Sequence, residues 1–175
     1  LIGNELFRTD GTLAGTTLVQ NINTNGTNGS SNSNPSSLCA AGGYLYFSAL
    51  TSTWGVELWR IGTSGSASLV ADIYAGANFS SSPTFITALD ATRIVFRAQT
   101  ADGNEPWVSD GTGPGTMRLA DINPGSVQSF MTQPVVANGK AWFSAQTGTE
   151  AELWESDGTP AGTVRHDLNP NGQSS

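Results

Sequence analysis

Apolar and polar residues alternate over short segments of this chain, and turn residues separate these segments. The clearest segment is Tyr44-Leu45-Tyr46-Phe47-Ser48-Ala49, which recurs at 93–98 and 140–145. Because successive side chains of a β-strand point to opposite faces, the phenylalanine and the alanine two positions later share a face in every copy. None of the segments has the 3.6-residue period of an amphipathic helix. The pattern predicts an all-β chain.

A second recurring segment places a glutamate two residues before an aromatic residue. The two side chains share one face of the strand and the residue between them takes the other, so both faces carry apolar bulk. Such a strand is expected to lie between two other sheets. We expect the glutamates to be structural and to accept backbone or hydroxyl hydrogen bonds, since a buried charge must be paired. The copies are Glu5-Leu6-Phe7, Glu57-Leu58-Trp59, Glu105-Pro106-Trp107 and Glu152-Leu153-Trp154.

The glutamate segment recurs about every 48 residues, a period typical of solenoids and propellers. Four segments per copy predict the four antiparallel strands of a propeller blade. We assign 1–175 to one repeat array, with half a blade at 1–23 and blades at 35–74, 83–123 and 130–169. About three and a half blades are fewer than the four to eight that close a ring. The sequence therefore predicts a partial propeller or an open array of blades.

The first and fourth strands of each copy are less regular. First strands are predicted near 36–40, 84–89 and 132–137, and fourth strands at 17–22, 68–73, 117–122 and 164–168. The last fourth strand is one residue shorter than the others. Because the side-chain period of a strand is two residues, we expect a bulge or a register slip there.

A turn with the sequence Asp-Gly-Thr follows the glutamate segment at Asp10, Asp110 and Asp157, and the second copy keeps only Gly62-Thr63. Aspartate accepts a hydrogen bond from the backbone two residues on, and glycine adopts a positive φ. The same aspartates could bind Ca²⁺ together with loop carbonyls, although tight binding needs six or more converging oxygens. Calcium is the one cofactor that the sequence suggests.

These motifs closely resemble the ELWxxDGT repeat family of secreted, mostly bacterial proteins. The likeness covers almost the whole chain and includes Gly115-Thr116 and Asp121-Ile122-Asn123-Pro124-Gly125. The chain departs from the family pattern at Phe7, at Pro106 and near Ile61, where the aspartate is missing. The resemblance implies a propeller-like array that is extracellular or at the cell surface. The family carries no established catalytic residues that could be transferred to this chain.

Composition excludes several kinds of partner and chemistry. The net charge of -7 repels phosphate backbones and anionic membranes, and no apolar run is long enough to span a bilayer. Cys39 is the single cysteine and is expected to be a buried, inert thiol. His166 is the single histidine, and we expect it on a solvated strand position. No nucleophile, acid and base can be assembled from motifs, so we expect no enzymatic activity.

Three aromatic residues break the repeat and are the candidates for ligand binding: Trp54, Tyr74 and Phe79. Trp54 lies in a loop whose counterparts at 100–103 and 147–151 have no aromatic residue, and the other two replace an Asn-Pro-Gly-Ser pattern. Exposed aromatic residues on loops can stack on sugar rings or anchor a protein partner. The alternative is that they pack against neighbouring blades.

The leading hypothesis is a non-catalytic extracellular module whose loops bind glycans or proteins in adhesion. The alternative is a structural subunit of a filament or surface layer, in which exposed strand edges pair between copies. A third hypothesis is a glycan-active enzyme on a propeller scaffold, for which the repeated glutamates would supply paired carboxylates. Equivalent positions of successive blades lie far apart, however, which disfavours the enzyme.

Overall fold

The computed structural model describes residues 3–24, 31–76 and 79–168. These residues form strands and no helix, which confirms the all-β prediction. The strands are β1 (Leu6–Arg8), β2 (Thr17–Gln20), β3 (Ser36–Ala41), β4 (Tyr44–Thr51), β5 (Gly55–Ile61), β6 (Ala67–Ala71), β7 (Thr84–Ala88), β8 (Ile94–Thr100), β9 (Gly103–Ser109), β10 (Met117–Arg118), β11 (Val135–Ala137), β12 (Lys140–Thr147), β13 (Glu150–Ser156) and β14 (Thr163–His166).

The strands form four antiparallel sheets in chain order. The first sheet contains only β1 and β2, and the other three contain β3–β6, β7–β10 and β11–β14. Each four-stranded sheet falls inside one of the predicted repeat ranges; residues 1, 2 and 169 of those ranges lie outside the described residues. Cross-strand pairing places the recurring phenylalanine opposite the recurring tryptophan, as Phe47 opposite Trp59. The counterparts are Phe96 opposite Trp107 and Phe143 opposite Trp154.

An apolar core separates each sheet from the next, and β5 contributes to two of these cores. Phe47 and Trp59 pack against Leu6 of the first sheet. Leu58, on the opposite face of β5, belongs to the core shared with Phe96 of the third sheet. The expected covering of this strand on both faces is therefore present. Covering on both faces explains why the glutamate segment contains two adjacent apolar residues, one for each face of the strand.

The third and fourth sheets repeat the same packing. Val108 and Leu119 pack with Ala141, and Ile122 packs with Phe143. Successive four-stranded sheets approach each other most closely through their first strands, β3 to β7 and β7 to β11. The sheets thus stack in the order of the chain and converge at one edge.

The prediction of a bulge in the last fourth strand is wrong. β13 and β14 pair in unbroken register from Leu153–His166 to Ser156–Thr163. The register shifts lie in longer copies instead, where Val19 and Val70 are the extra residues of β2 and β6. A ladder of period two absorbs an added residue only by bulging, so the shorter copy is the regular one.

Two further expectations need correction. β11 begins at Val135 and not near Thr132, because Pro134 has no N–H to donate to the ladder. Cys39 is half-buried, although we expected a buried thiol. Its partial burial beside the core of the second and third sheets raises the pKa of the thiol.

Candidate functional site

The glutamate of the repeated segment joins each sheet to the linker that leads into the next. Glu57 is fully buried. Its Oε2 accepts the Ile73 N–H at 3.0 Å and its Oε1 accepts the Ser81 N–H at 2.7 Å. The Ser81 hydroxyl donates to Oε2 as well. Since Ile73 follows β6 and Ser81 precedes β7, one carboxylate ties three segments together.

A serine continues this connection into the following sheet. The carbonyl of Ser81 accepts a hydrogen bond of 2.8 Å from the Gln99 N–H on β8. We call Ser33, Ser81 and Ser129 the linker serines, because all three are buried between successive sheets. The other two make the same carbonyl bond, from the Leu50 N–H to Ser33 at 2.7 Å and from the Gln146 N–H to Ser129 at 2.6 Å.

Sequence reasoning missed the linker serines. Their signal is weak but present, since Ser33 and Ser81 each lie two residues before a proline that precedes a first strand. The third, Ser129, lies two residues before Met131. In a Ser-rich chain this spacing alone does not single them out.

The four glutamates are not equivalent. Glu5 repeats the bonds of Glu57, accepting the Ile22 N–H at 3.2 Å and the Ser33 N–H at 3.1 Å. Glu105 accepts the Ile122 N–H at 2.9 Å, the Asn123 backbone N–H also acts on its carboxylate, and its Oε1 is buried without a hydrogen-bond partner in the described part of the chain. Glu152 accepts the Leu168 N–H at 3.3 Å.

The difference at Glu105 comes from its linker serine. The Ser129 hydroxyl donates to the Asn104 carbonyl at 2.6 Å instead of to the carboxylate. Burial raises the pKa of Glu105 to about 7, and the neighbouring charge of Asp121 acts in the same direction. Burial also raises the pKa of Glu57, while its hydrogen bonds from Ser81 and Ile73 act against this shift.

The aspartates of the Asp-Gly-Thr turns close the turns in which they lie. Asp110 Oδ1 accepts the Thr112 N–H at 2.8 Å and the Thr112 hydroxyl at 2.7 Å. Asp10 and Asp157 make the same bonds to Thr12 and Thr159, at 2.9 and 2.7 Å in each copy. These hydrogen bonds from threonine lower the pKa of all three aspartates.

The glycine five residues after each of these aspartates is required by the same geometry. A Cβ at Gly115 would lie 2.0 Å from Asp110 Oδ1, so the carboxylate rests directly on the glycine. Gly15 and Gly162 stand in the same relation to Asp10 and Asp157, at 1.9 and 2.1 Å. The second copy, which lacks the aspartate, closes its turn with a bond of 3.1 Å from the Gly65 N–H to the Gly62 carbonyl.

Replacing Gly115 by alanine is expected to lower the free energy of unfolding by about 1–2 kcal/mol, because Asp110 must then leave its two bonds to Thr112. Gly113→Ala is the matched control in the same turn, since a Cβ there would meet only the Val70 carbonyl oxygen at an ordinary 3.5 Å. Urea unfolding of both variants provides the measurement. Equal stability of the two would contradict the packing of the carboxylate on Gly115.

The aspartates do not converge on one centre. Each lies in the turn of a different sheet, and among residues 3–24, 31–76 and 79–168 no group of three or more His, Cys, Asp or Glu side chains is placed to hold a metal ion. Calcium binding at Asp10, Asp110 and Asp157 stays a prediction. The turn itself explains their recurrence.

The three aromatic residues that break the repeat lie at one end of the second sheet. Trp54 is in the turn between β4 and β5, and Tyr74 and Phe79 follow β6. Tyr74 stacks on Phe79 with ring centroids 4.6 Å apart and an interplanar angle of 7°. Gly55, the residue after Trp54, approaches the same loop, because a Cβ there would lie 2.0 Å from the Phe79 carbonyl oxygen.

Two rings of this aromatic surface (Trp54, Tyr74 and Phe79) are open to solvent. Trp54 is 38% exposed and Phe79 47% exposed, while Tyr74 is half-buried. The Trp54 ring also meets Trp59 edge to face, with centroids 6.3 Å apart. The rings are therefore partly packed and partly exposed. The structure places all three residues that the sequence singled out at the same end of the second sheet.

Tyr74 stands where other copies have an asparagine with a defined role. Asn23 Oδ1 accepts the Ser52 N–H at 3.1 Å, and Asn123 Oδ1 accepts the Gly148 N–H at 3.3 Å. Each asparagine therefore holds the turn between the second and third strands of the next sheet. At Tyr74 an aromatic pair with Phe79 takes the place of this polar contact.

His166 packs differently from the solvated position that we expected. It is partly buried and stacks on Trp142 with ring centroids 5.6 Å apart. Its Nε2 lies 3.7 Å from Glu155 Oε2. The histidine is thus engaged with a neighbouring aromatic ring and a carboxylate of its own sheet.

Within the described part of the chain, no helix is long and apolar enough to cross a membrane. Comparison with protein-family models finds no match, and comparison with curated proteins finds none. The relation to the ELWxxDGT repeat family stays a prediction that depends on the motifs.

Proposed function

We propose that this chain is a non-catalytic extracellular module of propeller blades that binds glycans or proteins through its loops. The aromatic surface carries the proposal, because it combines an exposed tryptophan with a stacked pair, one ring of which is exposed, on loops outside the repeated framework. Stacked and exposed aromatic rings suit the apolar faces of sugars and the anchor residues of protein partners. The buried glutamates, in contrast, are engaged in holding sheets together.

The arrangement of the sheets supports the propeller as the scaffold. Each complete unit has four antiparallel strands in chain order, and the units converge at their first strands. Propeller blades have this wedge shape, with the first strand of each blade innermost. In such a scaffold the turns between second and third strands and the loops after fourth strands share one rim, where the aromatic surface lies.

Replacing Trp54 by alanine is expected to weaken ligand binding about 5- to 30-fold, since loss of one stacking ring costs on the order of 1–2 kcal/mol. Arrays of glycans and immobilised extracellular matrix proteins are screened with the unaltered chain, and the hits are titrated with the variant. Phe130→Ala removes a ring from another loop that is more exposed than Trp54, 55% against 38%, and serves as the control. Equal loss in both variants, or no loss at Trp54, would contradict the proposal.

A structural subunit of a filament or surface layer is the second candidate. It is favoured by Phe7, which occupies the position of the buried Trp59 but is exposed on the outer face of the first sheet. Light scattering after size exclusion separates the candidates. Concentration-dependent polymers support the subunit, whereas a monomer at all concentrations contradicts it.

A further inference from the structure

The first sheet has an open strand edge that is filled in every other sheet. β5, β9 and β13 each pair on one side with a second strand, which is β4, β8 or β12. β1 is their counterpart, and it pairs with β2 alone. In the part of the chain that the structure describes, no strand lies along the other edge of β1. Its N–H and C=O groups on that side are open to an added strand.

The part of the second sheet that lies beside this edge is apolar and partly exposed. The corresponding part of the third sheet is buried. Leu38 of β3 and Leu45 of β4 correspond to Ile86 and Ile94 of the third sheet, as the pairing registers show. Ile86 and Ile94 are 6% and 0% exposed, because they pack against the preceding sheet. Leu38 is 52% exposed. The first two strands of a preceding sheet would cover it.

The open edge and the uncovered leucines form one groove. It has a volume of about 570 Å³ and is lined by Leu6 and Phe7 of β1 together with Leu38 and Leu45. The turn at 61–65 forms a further wall, and Arg8, Leu18, Val19 and Gly43 complete the lining. The groove thus offers backbone hydrogen bonds on one side and apolar contacts on the floor, which are the two elements of strand addition.

The geometry points to this groove as a binding site for a β-hairpin with the pattern of the first and second strands of this repeat, Ser36–Thr51, carried on another polypeptide segment. The registers of the complete sheets define the fit. In the second sheet Phe47 lies opposite Trp59 and Ala49 opposite Glu57. A bound hairpin therefore places its phenylalanine opposite Phe7 and its alanine opposite Glu5. Its second tyrosine then covers Leu38 and Leu45, as Tyr46 shares a core with Ile86 and Ile94.

This interaction is separate from ligand binding by the aromatic surface. The groove is formed by β1 to β4 and the turn between β5 and β6, whereas the aromatic surface belongs to the turn after β4 and the loop after β6. Filling the groove completes the first sheet to four strands and continues the stack with the contacts that already join the second and third sheets. The hairpin is recognised by its own sequence pattern and by its hydrogen bonds to the backbone donors and acceptors along the open edge of β1.

A synthetic peptide of residues 36–51, with Cys39→Ser to prevent oxidation, tests the site on the whole 175-residue chain. We expect saturable one-to-one binding with a dissociation constant of about 1–100 μM by fluorescence anisotropy. Hydrogen exchange at 6–8 should slow at least about tenfold, since the amides of β1 gain partners. The same peptide with Tyr46→Asp should not bind, because this tyrosine is the side chain that covers Leu38 and Leu45. Absence of saturable binding at about 1 mM peptide would overturn the proposal.

Variants of the chain locate the site. Leu38→Asp should weaken peptide binding at least about tenfold, and it should fold because the side chain is exposed. Val135→Asp, at an exposed position on the first strand of the last sheet, is the matched control and should bind as the unaltered chain does. Equal affinity of the two variants for the peptide would overturn the assignment of the site to this groove. A concentration-dependent dimer with β1 already protected would identify a second copy as the occupant and overturn the hairpin.

Discussion

Replacing Glu57 by alanine is expected to lower the free energy of unfolding by about 4 kcal/mol, because three buried donors lose their acceptor and a cavity remains. The donors are the N–H of Ile73 and the N–H and hydroxyl of Ser81. The loss should exceed that of most core truncations in a chain of this kind, since the carboxylate joins two sheets. Urea unfolding followed by tryptophan fluorescence gives the value.

Glu152→Ala is the matched control for Glu57. Glu152 is also buried, but among residues 3–24, 31–76 and 79–168 it accepts one hydrogen bond, from the Leu168 N–H at 3.3 Å. We expect its removal to cost about 1–2 kcal/mol. A double-mutant cycle of Glu57→Ala with Ser81→Ala should show a coupling energy of about 1–2 kcal/mol. Equal costs at both glutamates and no coupling to Ser81 would contradict the connecting role.

The sequence was sufficient to predict the second and third strands but not the ends of the fourth. β4 and β5 are long, alternate clearly and are joined by a short turn, so local pattern and tertiary pairing agree. The fourth strands were expected to include Ile22, Ile73 and Ile122, yet these residues lie beyond β2, β6 and β10. Their N–H groups donate to buried glutamates and therefore leave the strand ladder.

The candidate ligand residues could be predicted individually, but their arrangement could not. Trp54, Tyr74 and Phe79 stand out because they depart from a repeat, which a sequence shows directly. The stacking of Tyr74 on Phe79 and the approach of Gly55 to the same loop depend on how a loop folds back over a turn. Periodicity contains no information about that closure.

The hairpin groove could not be found from sequence for a related reason. Leu38 is as apolar as Ile86, and nothing in its neighbourhood along the chain marks it as exposed. Its exposure depends on which strands of the preceding sheet lie over it. Likewise, Glu57 and Glu105 occupy the same motif position, and only the side-chain orientation of the linker serines distinguishes them.

Replacing Glu105 by glutamine is expected to stabilise the protein at pH 8, by about 2–3 kcal/mol, and to leave its stability unchanged near pH 4.5. Glu105 Oε1 has no donor facing it, so an amide can replace the carboxylate without opposing an N–H or a hydroxyl. The remaining oxygen can still accept the Ile122 N–H. The gain comes from removing a buried charge that is incompletely compensated.

The pH dependence follows from the direction of the pKa shift. Burial raises the pKa of Glu105 from 4.5 to about 7, so the folded protein holds this proton more tightly than the unfolded chain does. The contribution of the protonated group to stability is complete below about pH 4.5 and is lost as the pH rises through about 7. The glutamine variant lacks this loss. Asp121, whose charge raises the pKa, and Arg118, whose charge lowers it, act on the carboxylate and not on an amide, so their net effect is part of the difference.

Urea unfolding of both proteins at intervals from pH 4 to pH 8.5 measures this difference, and Glu57→Gln provides the contrast. There an amide would face the N–H of Ser81 or of Ile73, so the variant should not gain the stability that Glu105→Gln gains at pH 8. A difference between Glu105→Gln and the unaltered chain that stays constant over this range would contradict the buried, weakly compensated carboxylate. A difference that grows with pH identifies Glu105 as a weaker connection than Glu57, because its linker serine donates to Asn104 and leaves one carboxylate oxygen unpaired.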